Sequence, residues 1–413
     1  MAHPADSVPP WSRLPAAALL LALACGGGGG SVTIPPFWVW GKVVATDLDG
    51  DGRPDVAVAA ILVDGGSHAD QVRVFPALAG GGFGPPASYA VAADPWGLCA
   101  GDLDGDGRPD LVATIPSSEP PVPNGIGDSG GLSVLHQDPG RPGRFLPAVW
   151  VRTGGAADAA GVADFTGDGL ADVAMADGVL ANSRILLLAQ APGKPGALLP
   201  PVSWPVGTGH GYRDLVVADV DGDGRPDLVL AGYDCVAILP QKAGGGFAAA
   251  TLLAAGLHVE GVAAADLDGD GQVDLVAANA GNAPDGGRGG ATVTVFLQRQ
   301  PGQFTATSLP VADGARQVAI GDLNGDGLPD LAVVSLVYQS LSTPSRVSVL
   351  LQSAVQRGAF VPGGTYDGTY ASNFLALADL DGDGRTDILL NEGPSVMLQT
   401  ATPGVFAPPR ALR

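Results

Sequence analysis

Aspartates recur at positions 1, 3, 5 and 9 of a nine-residue pattern that runs seven times through this 413-residue chain. The first copy holds Asp47, Asp49, Asp51 and Asp55 with Arg53 at position 7, and the second holds Asp102, Asp104, Asp106, Arg108 and Asp110. The third reads Asp164, Thr166, Asp168, Leu170 and Asp172, and the fourth Asp219, Asp221, Asp223, Arg225 and Asp227. Asp266, Asp268, Asp270, Gln272 and Asp274 make the fifth, and Asp322, Asn324, Asp326, Leu328 and Asp330 the sixth. Asp379, Asp381, Asp383, Arg385 and Asp387 close the series. Carboxylates this close repel one another unless a cation stands among them. Side chains at 1, 3, 5 and 9 with the carbonyl of 7 form an all-oxygen donor set, which suits calcium, whose flexible shell takes oxygens at about 2.3–2.6 Å. Magnesium prefers a stricter octahedron, and zinc is disfavoured because the pattern contains no Cys or His. Positions 4 and 6 are Gly in every copy, as a chain wrapping an ion requires. A lone Asp-Gly run would be an ordinary turn; seven in register predict up to seven structural calcium ions. The loops with Thr166 and Asn324 at position 3 are expected to bind more weakly.

The elements that position these loops are legible in their flanks. A helix-loop-helix calcium site closes with Glu at position 12, where this chain has Val58 and Ala113 in the first two copies. Upstream runs such as Lys42–Thr46, Leu98–Gly101 and Val318–Gly321, and downstream runs such as Val56–Ala60, Leu111–Ile115 and Leu228–Ala231, are short, apolar and β-branched, which predicts buried strands joined by the acidic hairpin. A small residue precedes the first Asp each time (Thr46, Gly101, Ala163, Ala218, Ala265, Gly321, Ala378), as expected of inner strands crowded about a narrow axis. A third strand follows in every unit, from Val72–Phe75 to Val396–Leu398. A Gly-rich turn then leads to Phe83, Phe145, Leu198, Phe247, Phe304, Phe360 or Phe406, expected to open a fourth, outer strand. The copies start 55, 62, 55, 47, 56 and 57 residues apart. Four strands per unit and seven units predict an all-β, seven-bladed β-propeller of four-stranded antiparallel blades with a calcium loop in each. The last outer strand must come from the tail Phe406–Arg413 or from Val32–Phe37, and the tail is favoured.

These units resemble the FG-GAP or VCBS repeats of the integrin alpha-subunit head and of many bacterial surface proteins, with Gly82-Phe83-Gly84 echoing the family name. The Gly-Ala-Pro half of that name is poorly kept, so the similarity is closer to the bacterial type. The resemblance covers roughly residues 37–413. It implies an ion in the hairpin between the first and second strands of each blade, on the face remote from the usual ligand-binding face, with a stabilising rather than a chemical role.

The chain is expected to divide into a signal peptide over 1–24, a lipidated Cys25 with a Gly-rich tether over 25–36, and the propeller over 37–413. Arg13 precedes the apolar run Leu14–Ala24, which is too short to span a bilayer as a helix, and Cys25 and five glycines follow. Small residue, Cys, then tether resembles a bacterial lipoprotein processing site. Ala22-Leu-Ala24 equally suits an ordinary signal peptidase, so an outer-membrane or cell-surface lipoprotein stands beside a periplasmic or freely secreted form. The net charge of −21 would fall to −7 with seven calcium ions, and it argues against nucleic acid or an anionic membrane as partner, a lipid anchor aside. Cys99 and Cys235 fall in non-adjacent blades, too far apart to pair, and are expected as buried thiols.

Gly127-Asp128-Ser129-Gly130-Gly131 matches the segment around a chymotrypsin-like nucleophile, but no companion histidine region is present and His68 is the only upstream candidate. The reading of function is a calcium-stabilised, monomeric, exported scaffold that binds a protein or glycan without catalysis. The alternative is a lectin or a polysaccharide-active propeller enzyme. A lectin would favour an aromatic repeated at one pocket position; Tyr89, Trp150, Trp204 and Tyr366 recur near the outer strand, but Leu252 and Leu309 interrupt them. The long connections Asp64–Asp70, Pro116–Gly130, Asn279–Gly290 and Tyr338–Ser345 are where a partner would bind.

Overall fold

Each acidic loop is a hairpin between two strands. The computed structural model describes residues 36–64, 67–116, 130–155, 157–177, 183–207, 211–281, 291–312, 314–336 and 343–412. Among them every regular element is a strand, and the 28 strands form seven four-stranded antiparallel sheets. In each sheet the strands lie in chain order, so every connection is local. Blade 1 comprises Phe37–Thr46, Asp55–Asp64, Ser67–Phe75 and Ala87–Ala90; blade 2 comprises Leu98–Gly101, Asp110–Ile115, Gly131–Leu135 and Val149–Arg152. The inner strands of successive blades neighbour one another around the ring, and Phe37–Thr46 meets Leu375–Ala378 of blade 7 to close it. Crowding at the axis shows at Gly101, where an added Cβ would stand 2.6 Å from Val162 of the next inner strand.

The core is divided among the seven seams between blades. Between blades 2 and 3, Leu103, Val112, Leu132, Val173, Met175 and Leu188 pack as one buried cluster; between blades 6 and 7, Leu323, Val334, Val347, Ile388, Leu390 and Phe406 do the same. Second strands read as unbroken apolar runs because both their faces are covered by neighbouring sheets, as in the fully buried Asp110–Ile115. Outer strands alternate and face water on one side, as in Ala87–Ala90.

The last blade is completed by the tail: Arg410–Ala411 pairs with Ser395–Met397, as favoured from the sequence. No strand is exchanged across the closing seam, so side chains must hold it. Asn391 Nδ2 donates to the Trp40 carbonyl at 3.0 Å, and Leu380, Leu389 and Val396 of blade 7 pack with Trp40, Val56 and Phe75 of blade 1.

One expectation is corrected. The aromatic after the third strand does not open the outer strand in most blades. Phe83, Phe145, Leu198, Phe247 and Phe406 each form a single β-bridge with Ala77, Gln137, Gln190, Gln241 and Gln399 and stop there. The four Phe side chains are buried. They fill seams, and the outer strands begin several residues later, at Ala87, Val149, Val202, Thr251 and Arg410.

Candidate metal centres

Local hydrogen bonding explains why these nine residues curl. The position-1 carboxylate accepts from the loop's own backbone: Asp47 Oδ1 from Gly50 N at 2.7 Å and Asp51 N at 3.1 Å, and Oδ2 from Gly52 N at 2.8 Å. Donors from positions 5 and 6 recur on Asp102, Asp164, Asp219, Asp266, Asp322 and Asp379. The position-5 carboxylate accepts from the N–H of position 7 in all seven, from Asp51 to Asp383. Gly50 and Gly52 have φ of 79° and 86°, and nothing lies within 4 Å of a Cβ added at either. Glycine is needed there for its left-handed backbone rather than for space.

Position 9 is buried in every loop (Asp55, Asp110, Asp172, Asp227, Asp274, Asp330, Asp387). Each of these carboxylates joins the loop to its blade. Asp55 Oδ2 accepts from Leu48 N at 3.1 Å, and Oδ1 from Ala77 N, beyond the third strand, at 2.7 Å. The equivalent pair recurs in the other six blades. Burial pushes Asp55, Asp274, Asp330 and Asp387 up to about 6, although their backbone donors pull the other way. Burial raises Asp172 and Asp227 as well. Asp49, Asp104 and Asp381 at position 3 are raised by partial burial and by neighbouring carboxylates.

In four loops, three of the carboxylates named from the spacing converge. Oxygens of Asp47, Asp49 and Asp55, of Asp102, Asp104 and Asp106, of Asp219, Asp221 and Asp227, and of Asp266, Asp268 and Asp274 lie within 4.8 Å of one another in each group. Converging carboxylates fit a hard cation, and at Asp49, Asp55, Asp104, Asp227 and Asp274 its charge would oppose the burial that raises them. At position 7, Arg53, Arg225 and Arg385 turn back onto Asp51, Asp223 and Asp383, and Arg108 Nη2 donates to Asp106 Oδ2 at 2.6 Å. Gln272 Nε2 donates to Asp270 at 3.2 Å, while Leu328 is buried and Leu170 half-buried. Asn324 keeps the turn of its loop, accepting from Asp326 N at 2.9 Å; Thr166 offers its N–H to Asp172 Oδ2 at 2.9 Å.

Sequence reasoning passed over two parts of the site. Position 2 is a buried apolar plug in every loop (Leu48, Leu103, Phe165, Val220, Leu267, Leu323, Leu380), and it packs into the following blade, as Leu48 does against Leu98, Leu111 and Phe145. The second part is a glutamine after the third strand in six blades. Gln137 Nε2 donates to the Leu48 carbonyl of the preceding blade's loop at 2.8 Å and to the Pro109 carbonyl of its own at 3.1 Å, and its Oε1 accepts from Gly143 N at 3.2 Å. Gln298 repeats this with Val220, Val273 and Gly302 at 2.9, 3.0 and 2.6 Å. Gln190, Gln241 and Gln399 likewise reach a carbonyl of the preceding loop, whereas Gln352 holds only the Pro329 carbonyl of its own loop and blade 1 has Ala77 at this place. Five of the seven neighbouring pairs of loops are thereby linked. In six units the sequence carries this Gln six to eight residues before Phe145, Leu198, Phe247, Phe304, Phe360 or Phe406, a spacing that says nothing of the neighbouring loop it reaches.

Three of the four recurring aromatics are seam residues. Tyr89 packs edge-on against Phe145 of the next blade, Trp204 against Phe247 and Tyr366 against Phe406. At the end of the ring away from the loops, where the inner strands begin, Arg316 pairs with part-buried Glu260 at 3.2 Å and Arg213 stands 3.9 Å from it. Burial opposes the Glu260 charge, but Arg316 and Arg213 outweigh it and hold the carboxyl below its ordinary value. Lys42 Nζ of blade 1 reaches Asp214 Oδ1 of blade 4 at 2.7 Å, a tie between inner strands of non-adjacent blades. Cys99 and Cys235 are not joined in a disulfide, and each thiol is pushed up to about 12 by burial. Cys25, the signal and tether segments, Ser129 and most of the long connections lie outside the described residues.

Residues 47–113, 219–277 and 266–333 match a family model described as FG-GAP-like repeat, and 95–135 match that of the FG-GAP repeat. No curated protein matches the chain in sequence. Among solved structures it is similar to a candidate 6-phosphogluconolactonase from Bacteroides uniformis, at 12% identity over 88% of this chain and 93% of that one, with a TM-score of 0.52. It is also similar to an Agrocybe aegerita lectin that recognises non-reducing terminal N-acetylglucosamine (20% identity, 83% and 82% covered, TM-score 0.47). A third is the rhamnogalacturonan lyase YesW (15% identity, 88% and 72% covered, TM-score 0.49). Likeness at this level concerns the fold alone.

Proposed function

From the premise that this chain is an FG-GAP repeat β-propeller, we propose that it is a non-catalytic, calcium-stabilised scaffold that presents the face remote from its acidic loops to a protein or glycan. The observation that carries this reading is the sevenfold repetition of one acidic loop whose ninth residue is buried each time and bonded into the blade wall. Chemistry repeated identically in every wall serves the wall. Calcium would be held by the carboxylates of positions 1, 3, 5 and 9, with Thr166 and Asn324 making the weaker loops. Bound there, it supplies positive charge that lets buried carboxylates ionise. The protein's own residues do the rest: the position-9 aspartate fastens hairpin to third strand, the plug fills the seam, and the glutamine passes order to the neighbouring loop.

The acidic loops and the Gly-rich turns share one end of the ring. The hairpins between second and third strands stand at the other, because each second strand starts at a loop and runs away from it. That second end is the face offered to a partner. The chain is proposed to act as a monomer at the cell surface or in the periplasm, anchored through Cys25 or freely secreted, and replacing Cys25 with Ser should release it from membranes if it is lipidated. A glycan array and a pull-down with calcium-loaded protein test the scaffold reading. Binding that survives substitutions on the hairpin face, or turnover of a polysaccharide, would refute it.

A further inference from the structure

Blade 2 departs from the other six in one residue beside its loop. The position just before the glutamine is Pro76, Ala189, Pro240, Leu297, Leu351 and Leu398 in the other blades, and it is His136 in blade 2. His136 Nδ1 lies 3.0 Å from Asp110 Oδ2, with the imidazole 19% exposed and the Asp110 side chain 1%. One ligating atom each from Asp104, Asp110 and His136 falls within 4.8 Å of the other two. The ring also hydrogen-bonds the backbone of Gly196, from the turn of blade 3, and an added Cβ there would stand 2.4 Å from its Cε1.

We propose that the loop of blade 2 is a mixed nitrogen-oxygen site that takes a divalent transition metal of the zinc class, held by Asp104, Asp110 and His136, in place of the calcium assigned to its siblings. This rests on the reading of the loops as cation cradles and adds to it. Calcium binds imidazole poorly and asks for many oxygens, whereas zinc, cobalt and nickel favour an imidazole with one or two carboxylates. The arrangement also has the support that metal-binding histidines require: contact with Gly196 on the far side fixes the ring's orientation, so that one nitrogen faces the carboxylates. The Asp110 carboxylate is itself held by Leu103 N at 3.1 Å and Gln137 N at 2.7 Å, so two of the three donors are oriented before any ion arrives.

The test uses the metal-free full chain. Cobalt(II) is titrated in with calcium saturating, and its visible absorption is followed; zinc is then added to displace it, and bound calcium and zinc are counted by elemental analysis. We expect one equivalent of cobalt giving a nitrogen-ligated spectrum, full displacement by zinc, and zinc binding at least ~10-fold weaker in His136→Leu. Leu stands at this position in three other blades, so that variant should fold, and an unchanged calcium count will show that it has. His68→Ala should leave the spectrum as it is. A wild-type chain without the cobalt band, or a band that persists in His136→Leu, overturns the proposal. Calcium uptake by the other loops is read separately in the same samples, so loss of the scaffold's calcium and loss of this site give different results.

Discussion

Stripping the chain of divalent ions and varying pH should produce a stability profile of unusual sign. Asp55, Asp274, Asp330 and Asp387 are at most 2% exposed, and burial pushes each from an ordinary 3.8 up to about 6. A carboxyl so placed costs about 3 kcal/mol to ionise in the folded state, at 1.36 kcal/mol per pKa unit. Because the folded pKa is the higher one, the folded chain binds more protons than the unfolded chain between about pH 4 and 6. The stabilisation is therefore complete below the unfolded pKa and is lost as pH rises through about 6. Four such groups amount to something on the order of 10 kcal/mol, comparable with the whole stability of an ordinary domain. Asp172 and Asp227 act in the same direction. Glu260, held low by Arg316 and Arg213, acts oppositely, so its contribution disappears only as pH falls below the ordinary carboxylate range. Urea unfolding followed by tryptophan fluorescence in metal-free buffer should show stability falling steadily from about pH 4.5 to 7. Millimolar calcium should reverse the slope, adding much at pH 7 and little at pH 4.5, where protons compete for the same oxygens. A metal-free profile that is flat or rises over this range, or a calcium increment equal at both ends, would refute the reasoning.

Three substitutions probe the connections between blades. Leu103→Ala empties a fully buried plug position packed on Val173, Met175 and Leu188, and should cost about 2–5 kcal/mol in urea unfolding with the calcium count unchanged. Gln298→Ala strands the Val220 and Val273 carbonyls and the Gly302 N–H, and should cost about 1–3 kcal/mol, with hydrogen exchange accelerating in the loops of both blades 4 and 5. Protection lost in blade 5 alone would count against a glutamine that links loops. Lys42→Met leaves Asp214 without its cation, and should cost about 3 kcal/mol; a double variant with Asp214→Asn should recover part of that, and no recovery would mean the two side chains act independently.

Seven hairpins, their strands and the tail's place in the last sheet were legible in the chain because each depends on residues close in sequence. Asp47 reaches only as far as Gly52, and each strand pairs with the next one along. What lies between blades was not legible. The Leu48 carbonyl meets Gln137 across 89 residues, and Lys42 meets Asp214 across 172, distances at which pattern says nothing of proximity. Tyr89, Trp204 and Tyr366 looked like a broken aromatic series until the ring set each against the Phe of its neighbour. His136 looked solitary, 26 residues from Asp110, until the third strand folded back beside the loop. Short-range turn chemistry thus determined the unit and the number of units. The placement of one twisted sheet on the next decided which buried groups meet, since only packing of whole sheets sets distances between residues of different blades.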